Sequence, residues 1–357
     1  MADGTKIEWC SHPVTGKGAT WNIITGCQIE SPGCRNCYAM RLAGTRLKNI
    51  PSRKSLTQPG KAGPVWTGEI RFNEEWLTQP LHWKAPRAVF VCAHGDLFAD
   101  GVTDDMLDRV FAVMALTPRH IYQVLTKRPK RMREYLSSEQ RDGNIAEKAA
   151  EICNRELPAG LFEVYGDPEE PLIVNASWPL ANVWLGTSVE DQKRADERIP
   201  YLLDTPAAIR FVSAEPLLEP LSLVELYPGG AQILNALTGW SHNPTFKMPG
   251  LDWIIVGGES GPGARPMHPM WPRGIRNQCL SAGVPLFFKQ WGAYRPKLLH
   301  EPIGACAMFV WPDGRMSDNF NKFPLRPTVM QKTGKSAAGN ELDGKTYEQF
   351  PEISTDD

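Results

Sequence analysis

No stretch of about eighteen apolar residues occurs in this sequence, so no segment is long enough to cross a bilayer as a helix. The opening Met1-Ala2-Asp3-Gly4-Thr5-Lys6 leads into polar and aromatic residues instead of the apolar core of a secretory signal. A cytoplasmic protein with no membrane partner is expected. Cysteine is equally sparse: eight in 357 residues are too dilute for a disulfide scaffold, and a chain of this length buries a core without one. Excess charge of one sign is absent too. The 39 Lys plus Arg against 40 Asp plus Glu give a formal charge of -1, which excludes whole-molecule attraction to nucleic acid and leaves a local basic groove open.

Loop-forming residues are abundant, with 31 Gly and 31 Pro, above ordinary usage but short of a disordered composition. Between them, short apolar runs alternate with helical patterns. A strand ends near Gly26, and further runs fall at Ala88–Cys92, His120–Leu125, Val183–Gly186, Ile209–Ser213, Leu251–Val256 and Pro285–Phe288. Helical stretches fall near 38–47, 103–116, 129–136, 192–203 and 272–282. Continuous hydrophobicity in strands of this length fits parallel pairing under helices. Seven candidates predict a full or incomplete parallel α/β barrel, with an open doubly wound sheet as the competitor. Polar stretches near 138–181 and 226–250 read as insertions in a 1–290 domain. Residues 291–357 read as a C-terminal extension with a hairpin at Ala307–Met316 turning on Asp313-Gly314.

Three of the eight cysteines crowd into Cys27-Gln28-Ile29-Glu30-Ser31-Pro32-Gly33-Cys34-Arg35-Asn36-Cys37, a C-x6-C-x2-C spacing. Three thiolates on one loop can hold three irons of a [4Fe-4S] cubane and leave the fourth open. They can equally close a structural zinc site with Cys10 or His12, or remain unligated. Cys92, Cys153, Cys279 and Cys306 lie in apolar or scattered contexts that suit burial.

In a parallel barrel the residues after each strand converge at one mouth. They are Cys27; His94 and Asp96; Thr126, Lys127 and Arg128; Thr187, Ser188 and Glu190; Ser213 and Glu215; Glu259 and Ser260; Lys289 and Gln290. Asp96, Glu215 and Glu259 can receive ammonium, amide or ribose groups, while Lys127, Arg128 and Lys289 can meet a carboxylate or phosphate. Rim solvation, helix capping and internal ion pairing explain such residues as well. Gly257-Gly258-Glu259-Ser260-Gly261-Pro262-Gly263 matches neither the phosphate-loop nor the dinucleotide fingerprint. The run Lys127-Arg128-Pro129-Lys130-Arg131-Met132-Arg133, with Arg53, Lys54, Lys61, Trp66 and Trp76, reads either as a nucleic-acid surface with stacking aromatics or as a solvated helix face.

Ile7-Glu8-Trp9-Cys10, Gly26-Cys27, Ser31-Pro32-Gly33-Cys34-Arg35-Asn36-Cys37-Tyr38-Ala39, Leu125-Thr126-Lys127-Arg128-Pro129, Gly186-Thr187-Ser188-Val189-Glu190, Ser213-Ala214-Glu215-Pro216, Gly257-Gly258-Glu259-Ser260-Gly261 and Lys289-Gln290-Trp291-Gly292 together resemble a phage-associated, radical-SAM-like protein family found in bacteriophages and bacteria. The resemblance implies a [4Fe-4S] cluster on Cys27, Cys34 and Cys37, with S-adenosyl-L-methionine as cosubstrate. Among the residues that a barrel would gather at its mouth, Asp96, Glu215, Gly257, Gly258 and Glu259 are the candidates to bind that cofactor, and His94, Lys127, Arg128, Ser188 and Lys289 the candidates to meet substrate. The spacing is longer than the ordinary C-x3-C-x2-C signature. The Gly257-Gly258-Glu259 segment follows a late strand, where its counterpart follows the second, so His94-Gly95-Asp96 can supply that contact instead. The expected function is a radical enzyme that modifies or repairs a nucleoside or DNA and is served by a reducing electron donor. A radical enzyme acting on a small metabolite or peptide, and a zinc-stabilised nucleic-acid-binding protein or phage-system partner, are the alternatives.

Overall fold

The computed structural model describes residues 4–156, 178–229, 233–243, 247–319 and 327–352. Parts of both expected insertions, 157–177, 230–232 and 244–246, lie outside the described residues. Seven strands form near the expected runs: β1 (Gly18–Trp21), β2 (Ala88–Val91), β3 (Ile121–Thr126), β4 (Val183–Ser188), β5 (Ile209–Ala214), β6 (Trp253–Gly257) and β7 (Leu286–Gln290), the first ending at Trp21 and not near Gly26, because Ile24–Thr25 pairs antiparallel with Arg71–Phe72 outside the sheet. β2, β4 and β6 are buried at every position, as strands covered on both faces must be. They form one open seven-stranded parallel sheet in the order β1-β2-β3-β4-β5-β6-β7. Order along the sheet follows order along the chain without reversal, the topology of an incomplete barrel, a radical-SAM-like type of fold. A doubly wound sheet reverses at a switch point, so that competitor fails. Closure into a full barrel fails as well, because β1 and β7 are the two ends of the sheet.

The chain divides into two compact units, one comprising Met1–Ile29, Ala39–Gly186 and Thr205–Ile209, the other Glu30–Tyr38, Thr187–Asp204 and Arg210–Asp357. In the first, β1, β2 and β3 pair in register, Trp21 with Val91 and Val91 with Val124. Trp21 and Tyr122 pack in its core, their rings 5.9 Å apart. Helices α1 (Tyr38–Gly44), α2 (Asp104–Ala115), α3 (Pro129–Leu136) and α4 (Arg141–Glu156) accompany these strands. α2 starts where Thr103 Oγ1 accepts from the Met106 N–H, and it buries Leu107, Val110, Phe111 and Met114 at helical spacing. α3 begins with Pro129, whose missing N–H suits a first turn.

In the second unit β6 lies between β5 and β7, with Ile255 paired to Ser213 and to Phe287. Asp191 caps α5 (Gln192–Leu203) by accepting from the Arg194 N–H at 2.9 Å, so its role is structural. α6 (Met270–Ala282) ends at Gly283, whose positive φ of 69° is a left-handed cap. The C-terminal hairpin forms from β9 (Met308–Val310) and β10 (Met316–Ser317), in a four-stranded sheet with β8 (Tyr294–Pro296) and β11 (Thr328–Lys332) ordered β8-β11-β9-β10. Among the described residues no helix is long and apolar enough to cross a membrane.

Candidate functional site

In the first unit the ends of β2 and β3 are joined through Asp96. Its buried carboxylate accepts four hydrogen bonds: Oδ1 from the Phe98 N–H (3.0 Å) and the Thr126 hydroxyl (2.7 Å), Oδ2 from the Lys127 N–H (3.1 Å) and Arg128 Nη1 (3.1 Å). Arg128 is buried with it, so the pair keeps neither charge isolated. Cys27 lies beside this pair, its Sγ 3.9 Å from Arg128 Nη1. The chain reaches Cys27 through Gly26, which bridges to Gly95. A Cβ at Gly26 would stand 2.2 Å from the Glu69 carbonyl oxygen, so only glycine fits. Thus His94, Asp96, Lys127, Arg128 and Cys27 all belong to the strand-end loops of one unit.

Arg53 differs from these paired cations. The Thr25 hydroxyl donates to the Ser52 carbonyl at 2.6 Å and Arg71 donates to the Pro51 and Lys54 carbonyls, which tie the 51–54 loop to the end of the first strand region. Arg53 is only 7 % exposed. Its Nη1 donates to Ser52 Oγ (2.5 Å), its Nη2 to His94 Nδ1 (3.1 Å), and its guanidinium lies 5.5 Å from the centre of the Trp76 ring. Its Nε is buried with no partner among the described residues. None of these neighbours is an acid, and burial lowers the guanidinium's affinity for its proton. Burial, reinforced by the charges of Arg53 and Arg46, brings the His94 pKa down to about 4. The imidazole is therefore neutral near pH 7. Because Arg53 can only donate, His94 Nδ1 accepts and the ring proton sits on Nε2.

In the second unit the strand-end acids are also held. Glu190 receives Arg198 Nη1 at 3.1 Å and the Gly33 N–H at 3.2 Å, a contact that a Cβ on Gly33 would crowd at 3.1 Å. Glu215 receives Lys289 Nζ at 2.9 and 3.0 Å and Gln290 Nε2 at 3.3 Å. Glu259 receives Arg265 through Nη2 (2.6 Å), Nε (2.9 Å) and its backbone N–H (2.8 Å), together with Asn36 Nδ2 (2.9 Å). The Ser188 carbonyl accepts from Arg198. Gly257 abuts the Glu215 carboxylate, and a Cβ at Gly258 would fall 2.0 Å from the Trp291 carbonyl oxygen. The two glycines serve close packing here. Sequence reasoning passed over Arg198, Arg265 and Asn36, although Arg198 lies two turns into a helix recognisable from its cap.

Three cations of the basic run near 127–133 are paired within the protein. Arg128 joins Asp96, Lys130 lies 4.0 Å from Glu134, Arg131 pairs with Asp104, and Met132 is buried. Trp66 is buried, and half-buried Trp76 has the Arg53 guanidinium over its ring.

The metal expectations are overturned. Among the described residues, which include Cys27, Cys34 and Cys37, no group of three or more His, Cys, Asp or Glu side chains is arranged to hold a metal ion. Among the described residues no cysteine forms a disulfide. Cys27 faces Arg128 and the Gln28 carbonyl, while Cys34 lies 3.9 Å from Ser31 Oγ. Neither candidate fourth ligand suits zinc. Cys10 donates to the Ala19 and Ala88 carbonyls, with burial pushing its thiol up to about 12, and His12 Nδ1 accepts from the Val14 N–H. The donor arrangement therefore does not support a [4Fe-4S] cluster, S-adenosyl-L-methionine as cosubstrate, radical chemistry on either substrate class, or zinc stabilisation. The electron donor was required only by that chemistry.

Fold and side chains define an open parallel α/β protein whose strand-end acids are internally neutralised, while buried Arg53 has no carboxylate beside it among the described residues. A family model described as "Protein of unknown function (DUF5131)" matches residues 4–351, and the chain belongs to that family. The radical-SAM-like resemblance is corrected accordingly. No curated protein and no solved structure gives a significant match.

Proposed function

We propose that the protein binds a phosphate-bearing ligand of the nucleotide class at the strand ends of its first unit. The observation that carries this reading is Arg53, a buried guanidinium whose neighbours among the described residues are Ser52, His94 and Trp76 and include no acid. A buried charge without a counter-charge costs several kcal/mol, and an incoming anion offsets that cost. Arg46, exposed and close enough to act on His94, adds a second positive charge to the same neighbourhood. Lys54 follows Arg53 in the loop that Arg71 holds in place, so the receiving segment is ordered before the ligand arrives. The near-zero net charge fits such a local site, since attraction comes from a few cations and not from the whole molecule.

Calorimetric titration of the full chain with adenosine 5′-monophosphate and with inorganic phosphate tests the reading. Saturable binding that weakens as salt rises is expected, with at least a tenfold loss in Arg53→Met and a protein that remains folded by near-ultraviolet circular dichroism. Absence of binding to either probe, or unchanged affinity in folded Arg53→Met, overturns it.

A further inference from the structure

Resting on the anion reading above, we propose that this site takes a terminal phosphomonoester, as carried by a mononucleotide or by the 5′ end of a strand, in preference to an internal phosphodiester. The first argument is steric. Arg53 is buried, one face of its guanidinium lies toward the Trp76 ring, and its two ends are engaged by Ser52 and His94. A guanidinium so enclosed is reached by a group whose oxygens project at the end of a molecule. An internal diester brings a sugar on each side of the phosphorus, and both must clear the same walls.

The second argument is charge. Arg53 and Arg46 contribute two positive charges, and His94 adds none, because its imidazole stays neutral with a pKa of about 4. A phosphomonoester carries about 1.5 to 2 negative charges at neutral pH, whereas a diester carries one. The monoester therefore matches the cation pair, and the diester leaves part of it uncompensated. Placement of the loop supports both arguments. Thr25 holds Ser52, and Asn22 Oδ1 accepts the His94 backbone N–H at 3.0 Å, so the two sides of the Arg53–His94 contact are each fixed to the end of the first strand region.

Titrations of the full chain with adenosine 5′-monophosphate, with the diester adenylyl-adenosine, and with one oligonucleotide bearing either a 5′-phosphate or a 5′-hydroxyl test this choice. The monoester is expected to bind at least tenfold more tightly than the diester. Arg46→Gln, at an exposed position, is expected to weaken the monoester several-fold while changing diester binding less. If the free nucleotide binds and 5′-phosphorylation of the oligonucleotide changes nothing, the source is a free nucleotide; if phosphorylation tightens the oligonucleotide, it is a strand end. Either result supports the inference. Equal affinity for monoester and diester overturns it while leaving the phosphate site in place, and binding of no probe overturns both.

Discussion

Acidification removes stability from this fold through its buried histidines, His94 among them, and the geometry of two others, His120 and His268, sets the size of their share. His120 is fully buried, with Nε2 3.1 Å from the Pro80 carbonyl and its ring edge-on to Trp83. His268 is 3 % exposed, its Nδ1 accepting from the Met270 N–H at 3.1 Å and its Nε2 3.0 Å from the Thr328 hydroxyl. Burial, the largest cause for both, lowers each from 6.5 to about 4, with Arg119 and Arg87 adding at His120 and Arg273 at His268. Because the folded value lies below the unfolded one, the unfolded chain takes up protons first as pH falls. Stability is therefore full above about pH 6.5 and declines down to about pH 4. At ~1.4 kcal/mol per unit, each histidine accounts for up to ~3 kcal/mol, and the slope near pH 5 is roughly 2 kcal/mol per pH unit for the pair. That is a large part of a typical stability of about 5–15 kcal/mol. Asp108, Asp252 and Glu219 act in the opposite sense, since burial raises all three and their folded forms hold protons longer. Their effect begins above their ordinary values near 4 and offsets part of the histidine slope at the acidic end of the range. Urea unfolding followed by tryptophan fluorescence at constant ionic strength measures the slope, and His120→Gln with His268→Gln should reduce it, leaving the share that His94 contributes. A stability that is level from pH 7 to 5, or an unchanged slope in the double variant, refutes the reasoning.

Asp96→Asn should destabilise the first unit by about 3 kcal/mol, because its amide NH2 replaces one acceptor facing two donors and leaves Arg128 buried without its closest counter-charge. Arg128→Met should cost less, since Asp96 keeps three donors; urea midpoints order the two, and the reverse order would contradict the network described. Gly258→Ala should lower the thermal midpoint of the second unit by several degrees, because its Cβ would meet the Trp291 carbonyl oxygen at 2.0 Å; an unshifted midpoint would show that this backbone approach relaxes freely.

The sheet was legible because burial on both faces writes itself into sequence as unbroken runs such as Ala88-Val89-Phe90-Val91 and Trp253-Ile254-Ile255-Val256, and the helical stretches expected near 103–116, 129–136 and 192–203 lie between those runs in the fold. The cysteines misled for the complementary reason. Nearness along a chain does not fix where thiols point, and between Cys27 and Cys34 the chain leaves one compact unit for the other at Ile29 and Glu30. The strand-end acids were visible as acids, but their partners were not. Glu259 meets Arg265 six residues on, Asp96 meets Arg128 from the next strand, and Glu215 meets Lys289 from two strands further along the chain, separations that composition and spacing do not encode. Those partners change what the strand ends can do. A carboxylate already satisfied by an internal cation has little left with which to receive an ammonium or a ribose, so the residues that looked most like ligand groups are committed to holding loops in place. Arg53 runs the other way. In sequence it is one cation in a Gly/Pro-rich basic loop, where solvation is the economical reading. In the fold it is the cation that Thr25, Ser52 and Trp76 draw inside without a carboxylate to meet it, and for a buried group the missing partner tells more about binding than the charge itself.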